Sequence, residues 1–111
     1  MSYSDILRGF HDLMILKVLS DHDSYCYEVS STIFEWTVQR YRLKETTLYS
    51  SFSRLEKNGY ITSYEGQKTH GRMRIYYSIT PQGRVYFEES VQSYQRITIM
   101  MDEFLEEPHE H

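Results

Sequence analysis

The segment ETTLYSSFSRLEKNG, residues 45–59, carries the clearest helical pattern of the chain and its most unusual surface chemistry. Leu48, Phe52 and Leu55 recur at helical spacing and form a single apolar stripe. The side chains opposite and beside that stripe are mostly short hydroxyls and cations: Thr46, Tyr49, Ser50, Ser53, Arg54 and Lys57. Asn58-Gly59 is typical of a left-handed helix end. The pattern predicts a helix over residues 45–58 with one buried face and one polar, cationic face.

Helices are also predicted before this segment, over about residues 4–19 and 25–37, separated by the turn-forming residues 20–24. Ser4 is the expected N-cap of the first helix, and Trp36 is expected to anchor the second helix in the core. After the segment, residues 60–64 and 73–79 favour strands on either side of a basic loop. Thr80-Pro81 then predicts the start of a long helix that ends near Leu105. The fold class is mainly α with a small β-hairpin.

Composition limits the class of protein. The chain has 111 residues, 40% of them hydrophobic, which is enough for the core of one domain. The longest apolar run, residues 13–19, includes Lys17 and is far shorter than the ~20 residues that a membrane span needs. No secretory signal is visible, and the one cysteine, Cys26, has no partner for an internal disulfide. We therefore expect a cytoplasmic protein with a reduced, buried thiol and no membrane partner.

Charge is divided along the chain. The net charge is −4, but residues 40–84 carry +6, whereas residues 1–39 carry −4 and residues 85–111 carry −6. A basic middle between acidic ends predicts one surface that attracts polyanions.

The polar face of residues 45–58 suits nucleic acid. A helix about 10–12 Å wide enters the ~12 Å major groove of B-DNA, where hydroxyls and guanidinium groups contact phosphates and base edges. An ordinary solvated helix face is the alternative, but the basic loop that follows favours DNA, since its cations could straddle the backbone beside the groove. The predicted DNA-binding residues are Thr46, Thr47, Tyr49, Ser50, Ser53, Arg54, Lys57, Lys68, Arg72 and Arg74.

Three motifs together resemble the PadR family of winged-helix transcriptional regulators. They are Tyr25-Cys26-Tyr27-Glu28, the segment from Thr47-Leu48-Tyr49 to Arg54-Leu55-Glu56, and Gly71-Arg72 followed by Tyr76-Tyr77 and Thr80 to Gly83. The resemblance covers about residues 5–105. This chain departs from the family pattern at Cys26, Lys44 and Ser50, where Gly, a capping Ser or Asn, and Pro are frequent.

The resemblance implies a winged helix-turn-helix DNA-binding domain over residues 1–80, a dimerisation helix over 81–105, and a frayed acidic tail over 106–111. It also implies a repressor that binds a palindromic operator in double-stranded DNA as a homodimer. The apolar residues of the first and last helices agree with pairing, since one small domain cannot easily cover both; a last helix folded back on its own core is the alternative.

Some members of the family bind planar aromatic molecules at the dimer interface, and Tyr94 stands at the matching place, eleven residues after Gly83. The predicted interface, which is also the candidate pocket, comprises Phe10, Leu13, Met14, Phe87, Val91, Tyr94, Ile97, Met101 and Phe104. An ordinary packed dimer core is the alternative reading of the same residues.

No enzyme motif is present, and no cofactor is expected. His109 and His111 would form only a poor two-ligand metal site in the acidic tail, so no metal is expected. Two other functions stay open: a winged-helix adaptor that binds proteins, and a multidrug-binding sensor without strong DNA binding. The salt dependence of the affinity for duplex DNA separates these two functions from the repressor, because phosphate contacts weaken steeply as the salt concentration rises.

Overall fold

A computed structural model of the chain describes residues 6–66, 71 and 73–106. A 3-10 turn, Arg8–Phe10, leads into helix α1, His11–Asp21, and the expected N-cap Ser4 lies outside the described residues. The remaining elements are β1 (Ser24–Tyr25), α2 (Cys26–Trp36), α3 (Glu45–Lys57), β2 (Ile61–Glu65), β3 (Ile75–Ile79) and α4 (Pro81–Leu105). The predicted class, mainly helical with a small sheet, is confirmed.

The core lies where α1, α2, α3 and the sheet meet. Ile15 and Leu16 of α1, Val29 of α2 and Leu48 of α3 are all completely buried. The predicted stripe of α3 is confirmed, because Phe52 and Leu55 are also only 1% exposed. The ring of Phe52 stacks on Tyr77 of β3 at 4.0 Å between centroids, and this contact joins α3 to the sheet.

The sheet has three strands in the order β1-β3-β2, all antiparallel, whereas only the hairpin β2-β3 was expected. Residues 20–24 were predicted to be a turn, yet Ser24 pairs with Tyr77 and Tyr25 with Tyr76. Two residues are too few to show strand periodicity in a sequence. Their conformation is set by the neighbouring strand, which no local pattern reveals.

The prediction for Trp36 is wrong: its side chain is 49% exposed. The buried residues of α2 are Cys26, Val29, Ser30 and Ile33, and Trp36 at the helix end falls beside that stripe rather than within it. The chain then turns through Val38 and Gln39, which have φ values of 56° and 60°. Left-handed backbone is strained for a β-branched residue such as valine.

Thr37 holds this strained turn together. Its hydroxyl donates towards the carbonyl of Ile33 at 2.8 Å and lies 3.1 Å from that of Phe34, while accepting from the backbone N–H of Tyr41 at 3.2 Å. These hydrogen bonds fix the direction in which the chain continues from the turn towards the start of α3.

Helix α4 begins as predicted, with the Thr80 hydroxyl accepting from the N–H of Gly83 at 2.9 Å and Pro81 in the first position. Gly83 is required by a close approach, since a Cβ there would lie 2.0 Å from the carbonyl oxygen of Tyr60. It is also the one residue of α4 that is fully buried. In the part of the chain that the structure describes, no helix is long and apolar enough to cross a membrane.

Candidate nucleic-acid interface

The polar face of α3 points outward. Its side chains at Thr46, Tyr49, Ser50, Ser53 and Lys57 are all exposed, opposite the buried stripe. Thr47 is half-buried at the edge of this face. The acidic residues Glu45 and Glu56 lie at its ends, and Glu56 accepts a hydrogen bond from the Ser63 hydroxyl of β2 at 2.8 Å. The centre of the face therefore offers hydroxyl groups without a carboxylate among them.

Tyr49 is the largest side chain on this face and stands over Cys26. Cys26 is buried, as predicted, and burial raises the pKa of its thiol, partly opposed by a hydrogen bond with Tyr49. The nearby Cys26 and desolvation in turn raise the pKa of the Tyr49 hydroxyl. Tyr49 therefore remains a neutral hydroxyl, able to donate to a phosphate or a base edge.

Arg54 is exposed like its neighbours, with 54% of its side chain accessible, but it also bridges to α1. Its Nε donates to Asp12 Oδ2 at 3.2 Å and its Nη2 donates to Asp12 Oδ1 at 2.5 Å, a two-pronged bridge between α3 and α1. The hydrogen bond to Asp12 raises the pKa of Arg54. The sequence pattern placed Arg54 on the flank of the helix but could not show this partner, which lies 42 residues away.

A cluster of tyrosine rings joins β1 to the wing, which is formed by β2 and β3. Tyr76 stands 5.4 Å from Tyr25 and 5.8 Å from Tyr64, between ring centroids, and the Tyr64 hydroxyl donates to Asp23 at 2.6 Å. Arg74 adds a cation to this cluster, with its guanidinium carbon 4.4 Å from the centre of the Tyr25 ring.

The Arg74 Nε is buried and has no hydrogen-bond partner among the described residues. The other predicted wing cations, Lys68 and Arg72, lie outside the described residues.

A cationic pocket of about 250 Å³ lies at the amino end of α3, and sequence reasoning missed it as a site. It is lined by Arg8, His11, Tyr41, Arg42, Leu43, Lys44 and Thr47. Arg42 is positioned by Phe34, whose ring centre lies 4.2 Å from its guanidinium carbon.

Beneath the cations, His11 Nε2 and the Tyr41 hydroxyl are 2.6 Å apart. Burial lowers the pKa of His11, so it is neutral at neutral pH. The net positive charge of residues 40–84 was the one sign of this pocket in the sequence. The sequence could not show that Arg8 lies beside Arg42 and Lys44, because the fold brings them together.

The second candidate surface lies along α1 and α4. The predicted interface residues of the domain, Phe10, Leu13, Met14, Phe87 and Val91, are half-buried, while Tyr94, Ile97, Met101 and Phe104 are 40–69% exposed. Met14 and Phe87 pack against the core of their own chain, and the contacts of α4 with its own chain extend as far as Tyr94, so the first half of α4 folds back. Phe10 and Tyr94 meet edge to face at 5.6 Å and line a groove of about 350 Å³ together with Leu13 and Ile97.

The described residues contain no cluster of three or more His, Cys, Asp or Glu side chains that could hold a metal ion. The candidate sites described above are made of hydroxyls, cations and aromatic rings.

Three helices, a three-stranded sheet with a hairpin wing, and an exposed polar third helix define a winged helix-turn-helix protein. Residues 15–89 match the transcriptional regulator PadR-like family, and the chain belongs to this family. It is thus a DNA-binding transcriptional regulator and not an enzyme.

Similar proteins agree with this assignment. An uncharacterized protein of Lysinibacillus sphaericus is 40% identical over 106 residues, which is 96% of this chain and 97% of that protein. A transcriptional regulator from Clostridium thermocellum has a structure that is 43% identical, with a TM-score of 0.85, covering 96% of this chain and all of that one. A PadR family transcription regulator from Clostridium difficile is 31% identical, with a TM-score of 0.77, covering 88% of this chain and all of that one.

Proposed function

We propose that the protein is a repressor that binds a palindromic operator as a homodimer. Each copy places α3 in a major groove, and the two grooves lie about 34 Å apart on one side of the duplex. The single observation that carries this proposal is the outward, hydroxyl-rich face of α3, which has no carboxylate at its centre.

The contacts divide between bases and phosphates. Tyr49, Ser50 and Ser53, in the middle of the exposed face, are the side chains proposed to meet base edges. Thr46, Thr47 and Lys57 are proposed to bind the backbone at its two ends, and Arg74, Lys68 and Arg72 of the wing to bind it beside the groove.

Arg54 has a different proposed role from the one that its position in the sequence suggests. Because Asp12 accepts from its Nε and Nη2, Arg54 is proposed to fix the angle between α1 and α3 rather than to contact a base, although 54% of its side chain stays exposed. The cationic pocket supplies further phosphate contacts through Arg42 and Lys44, which are both exposed beside Thr47.

The exposed apolar side chains of α4 support the proposed homodimer. Ile97, Met101 and Phe104 are 53%, 40% and 69% exposed on the same helix. A cluster of exposed large apolar residues of this kind marks an interaction surface in a protein of this size. A twofold axis beside Tyr94 would cover them on both copies and hold two α3 helices on one face of the DNA.

An effector site is proposed in the groove between α1 and α4. Phe10 and Tyr94 already meet edge to face there, and a second copy would add the same pair of rings across the axis. A planar aromatic molecule would stack in this doubled groove and change the distance between the α3 helices, which releases the operator.

Fluorescence anisotropy of a labelled duplex, taken from the region just upstream of the protein's own coding sequence, tests the proposal. Affinity should fall steeply with salt, and Lys57→Ala should reduce the slope of log affinity against log salt by about one per subunit. Arg96→Ala, which removes an exposed cation from α4 instead, is the matched control and should keep the slope. Affinity that is absent, or that does not change with salt, would favour the adaptor or the sensor.

A further inference from the structure

The cationic pocket at the amino end of α3 combines a positive rim with a buried polar floor. Arg42 and Lys44 are exposed at the rim, and among the described residues no carboxylate forms an ion pair with either one. Arg8, from the turn before α1, adds a third cation, and none of the described lining residues is acidic. A pocket of about 250 Å³ with this lining suits a small anion.

The two rim cations lie close to the first turn of α3. The guanidinium carbon of Arg42 lies 4.2 Å from the centre of the Phe34 ring, which holds it at the surface of the domain. Lys44 occupies the N-cap position of α3, and a lysine side chain cannot accept a hydrogen bond from the first N–H groups of the helix. These groups are left to another acceptor, and an anion bound beside Arg42 and Lys44 would supply one.

His11 and Tyr41 form the floor of the pocket. His11 is only 8% exposed, its Nε2 lies 2.6 Å from the Tyr41 hydroxyl oxygen, and the two rings stack. Burial is the main reason that the pKa of His11 is lowered; Asp12 opposes this effect, and Arg8 and Arg54 add to it.

The charge around His11 is mostly positive. The charged groups on the elements packed around it are Arg8, Asp12, Arg42, Lys44 and Arg54. With four cations and one carboxylate nearby, a proton on the imidazole is disfavoured until negative charge is added.

A bound anion changes this balance. Its negative charge offsets the cations around His11, so that the imidazole takes up a proton more readily. Once both ring nitrogens carry hydrogen, Nε2 can only donate, and the Tyr41 oxygen accepts from it. The hydroxyl hydrogen of Tyr41 then turns to an acceptor in the pocket that it lines. Protonation and anion binding therefore favour each other.

We propose that the cationic pocket binds one phosphate group and that protonation of His11 strengthens this contact. Arg42 and Lys44 bind the phosphate oxygens at the rim, and the Tyr41 hydroxyl donates to one from the floor. A phosphate suits these donors because its several oxygens accept at once from a guanidinium, an ammonium and backbone N–H groups. The inference rests on the function proposed above where the phosphate belongs to DNA; a free phosphate group has the same chemistry.

The proposal gives DNA affinity a defined dependence on pH. The pKa of His11 is higher with phosphate bound than without it, so affinity is constant above the bound value and rises as the pH falls towards the free value. The contribution of His11 to folding stability changes in the opposite direction, since burial favours the neutral ring. Acid therefore tightens the phosphate contact while it weakens the fold.

The pKa of His11 in solution tests the site directly. Imidazole signals followed by NMR from about pH 8 to about pH 5 give the pKa of each histidine, and His11→Gln identifies the signal of His11. Inorganic phosphate should raise the pKa of His11 by about one, which means about tenfold tighter binding to the protonated form. Sodium chloride at equal ionic strength should raise it much less, and Arg42→Gln should abolish the phosphate effect.

His22 serves as the matched control. It follows the last residue of α1, at the opposite end from His11, and its side chain is 50% exposed beside Asp21. Its pKa should be the same with and without phosphate. In fluorescence anisotropy with the duplex named above, wild type should gain up to about tenfold in affinity per subunit as the pH falls, to match the rise in the pKa of His11. His22→Gln should keep this gain and His11→Gln should lose it.

The same NMR titration with the duplex in place of phosphate distinguishes the two sources of the group. A rise in the pKa of His11 with the duplex assigns the pocket to the DNA backbone, and a rise with inorganic phosphate alone assigns it to a free phosphate group. Duplex binding that leaves the pKa of His11 unchanged, with no rise in phosphate beyond that in chloride, overturns the inference and leaves the proposed repressor in place. A rise with phosphate in a protein that binds no duplex overturns the proposed function and leaves the phosphate site.

Discussion

Helices α3 and α4 carry apolar stripes of the same helical period but use them differently. In α3, Leu48, Phe52 and Leu55 are at most 1% exposed, because α1, α2 and the sheet cover them within one chain. In α4, one residue, Gly83, is fully buried, and large side chains such as Ile97 and Phe104 stay more than half exposed. The stripe of α3 is covered within the chain and forms the core of the domain, whereas the exposed stripe of α4 is the surface proposed above to meet a second copy.

The largest expected effect is a loss of folding stability when the buried stripe of α3 is changed. Phe52→Ala removes a buried ring that stacks on Tyr77, and we expect it to lower the free energy of unfolding by about 3–5 kcal/mol. Ile97→Ala, on the open stripe, should change the unfolding of the separated chain by less than about 0.5 kcal/mol. Urea denaturation at low protein concentration measures both free energies of unfolding. Similar losses of stability in the two variants would contradict the difference between the buried and the exposed stripe.

A smaller loss is expected where α4 joins the domain. Gly83→Ala places a Cβ against the carbonyl oxygen of Tyr60, and the strain should destabilise the fold by about 1–3 kcal/mol. Val85→Ala, at an exposed position of the same turn, is the control. Thermal unfolding followed by circular dichroism should show a lower midpoint for Gly83→Ala but not for Val85→Ala. Equal midpoints would mean that the backbone shifts to admit the added Cβ beside the Tyr60 carbonyl without strain.

A charge placed on the exposed stripe of α4 tests its proposed role in dimer formation. Tyr94→Asp puts a carboxylate at the proposed twofold axis, and we expect the dimer to weaken at least tenfold, or about 1.4 kcal/mol. The helical signal of the separated chain should be unchanged, since Tyr94 is 43% exposed there. Sedimentation velocity over a dilution series measures the first effect, and an unaltered dimer would place the axis elsewhere.

The smallest effect concerns His11, below the amino end of α3. Burial holds its pKa below the ordinary value of 6.5, so the unfolded chain takes up the proton more readily than the folded one. Its contribution to stability is complete above pH 6.5 and is lost as the pH falls through that value towards the lower folded pKa. Urea midpoints from about pH 8 to about pH 5 should show a decline that His11→Gln reduces; an equal decline in both proteins would assign it to other groups.

The sequence predicted those parts of the fold that depend on local chemistry. The bounds and buried stripe of α3, the cap at Thr80 and the end of α4 at Leu105 all follow from spacing and capping. The outward direction of the polar face of α3 follows from the same periodicity, and so do the exposed residues of α4.

Features that depend on distant neighbours could not be predicted. The strand at Ser24 exists because Tyr77 lies beside it, and Arg54 bridges α3 to α1 because Asp12 accepts from its guanidinium. Trp36 was assigned to the core by its size, yet its place at the end of α2 leaves it at the surface. Arg8 joins the cationic pocket only once α1 has packed beside α3.

The most direct measurement is the mass of the protein–DNA complex by sedimentation equilibrium, with wild type and with Tyr94→Asp. We predict two chains per duplex for wild type, which is twice the 13.4 kDa of one chain, and a loss of tight binding when Tyr94→Asp separates the copies. A complex with one chain per duplex, and equal DNA affinity for wild type and Tyr94→Asp, would contradict the proposal that α3 binds DNA while α4 pairs the two copies.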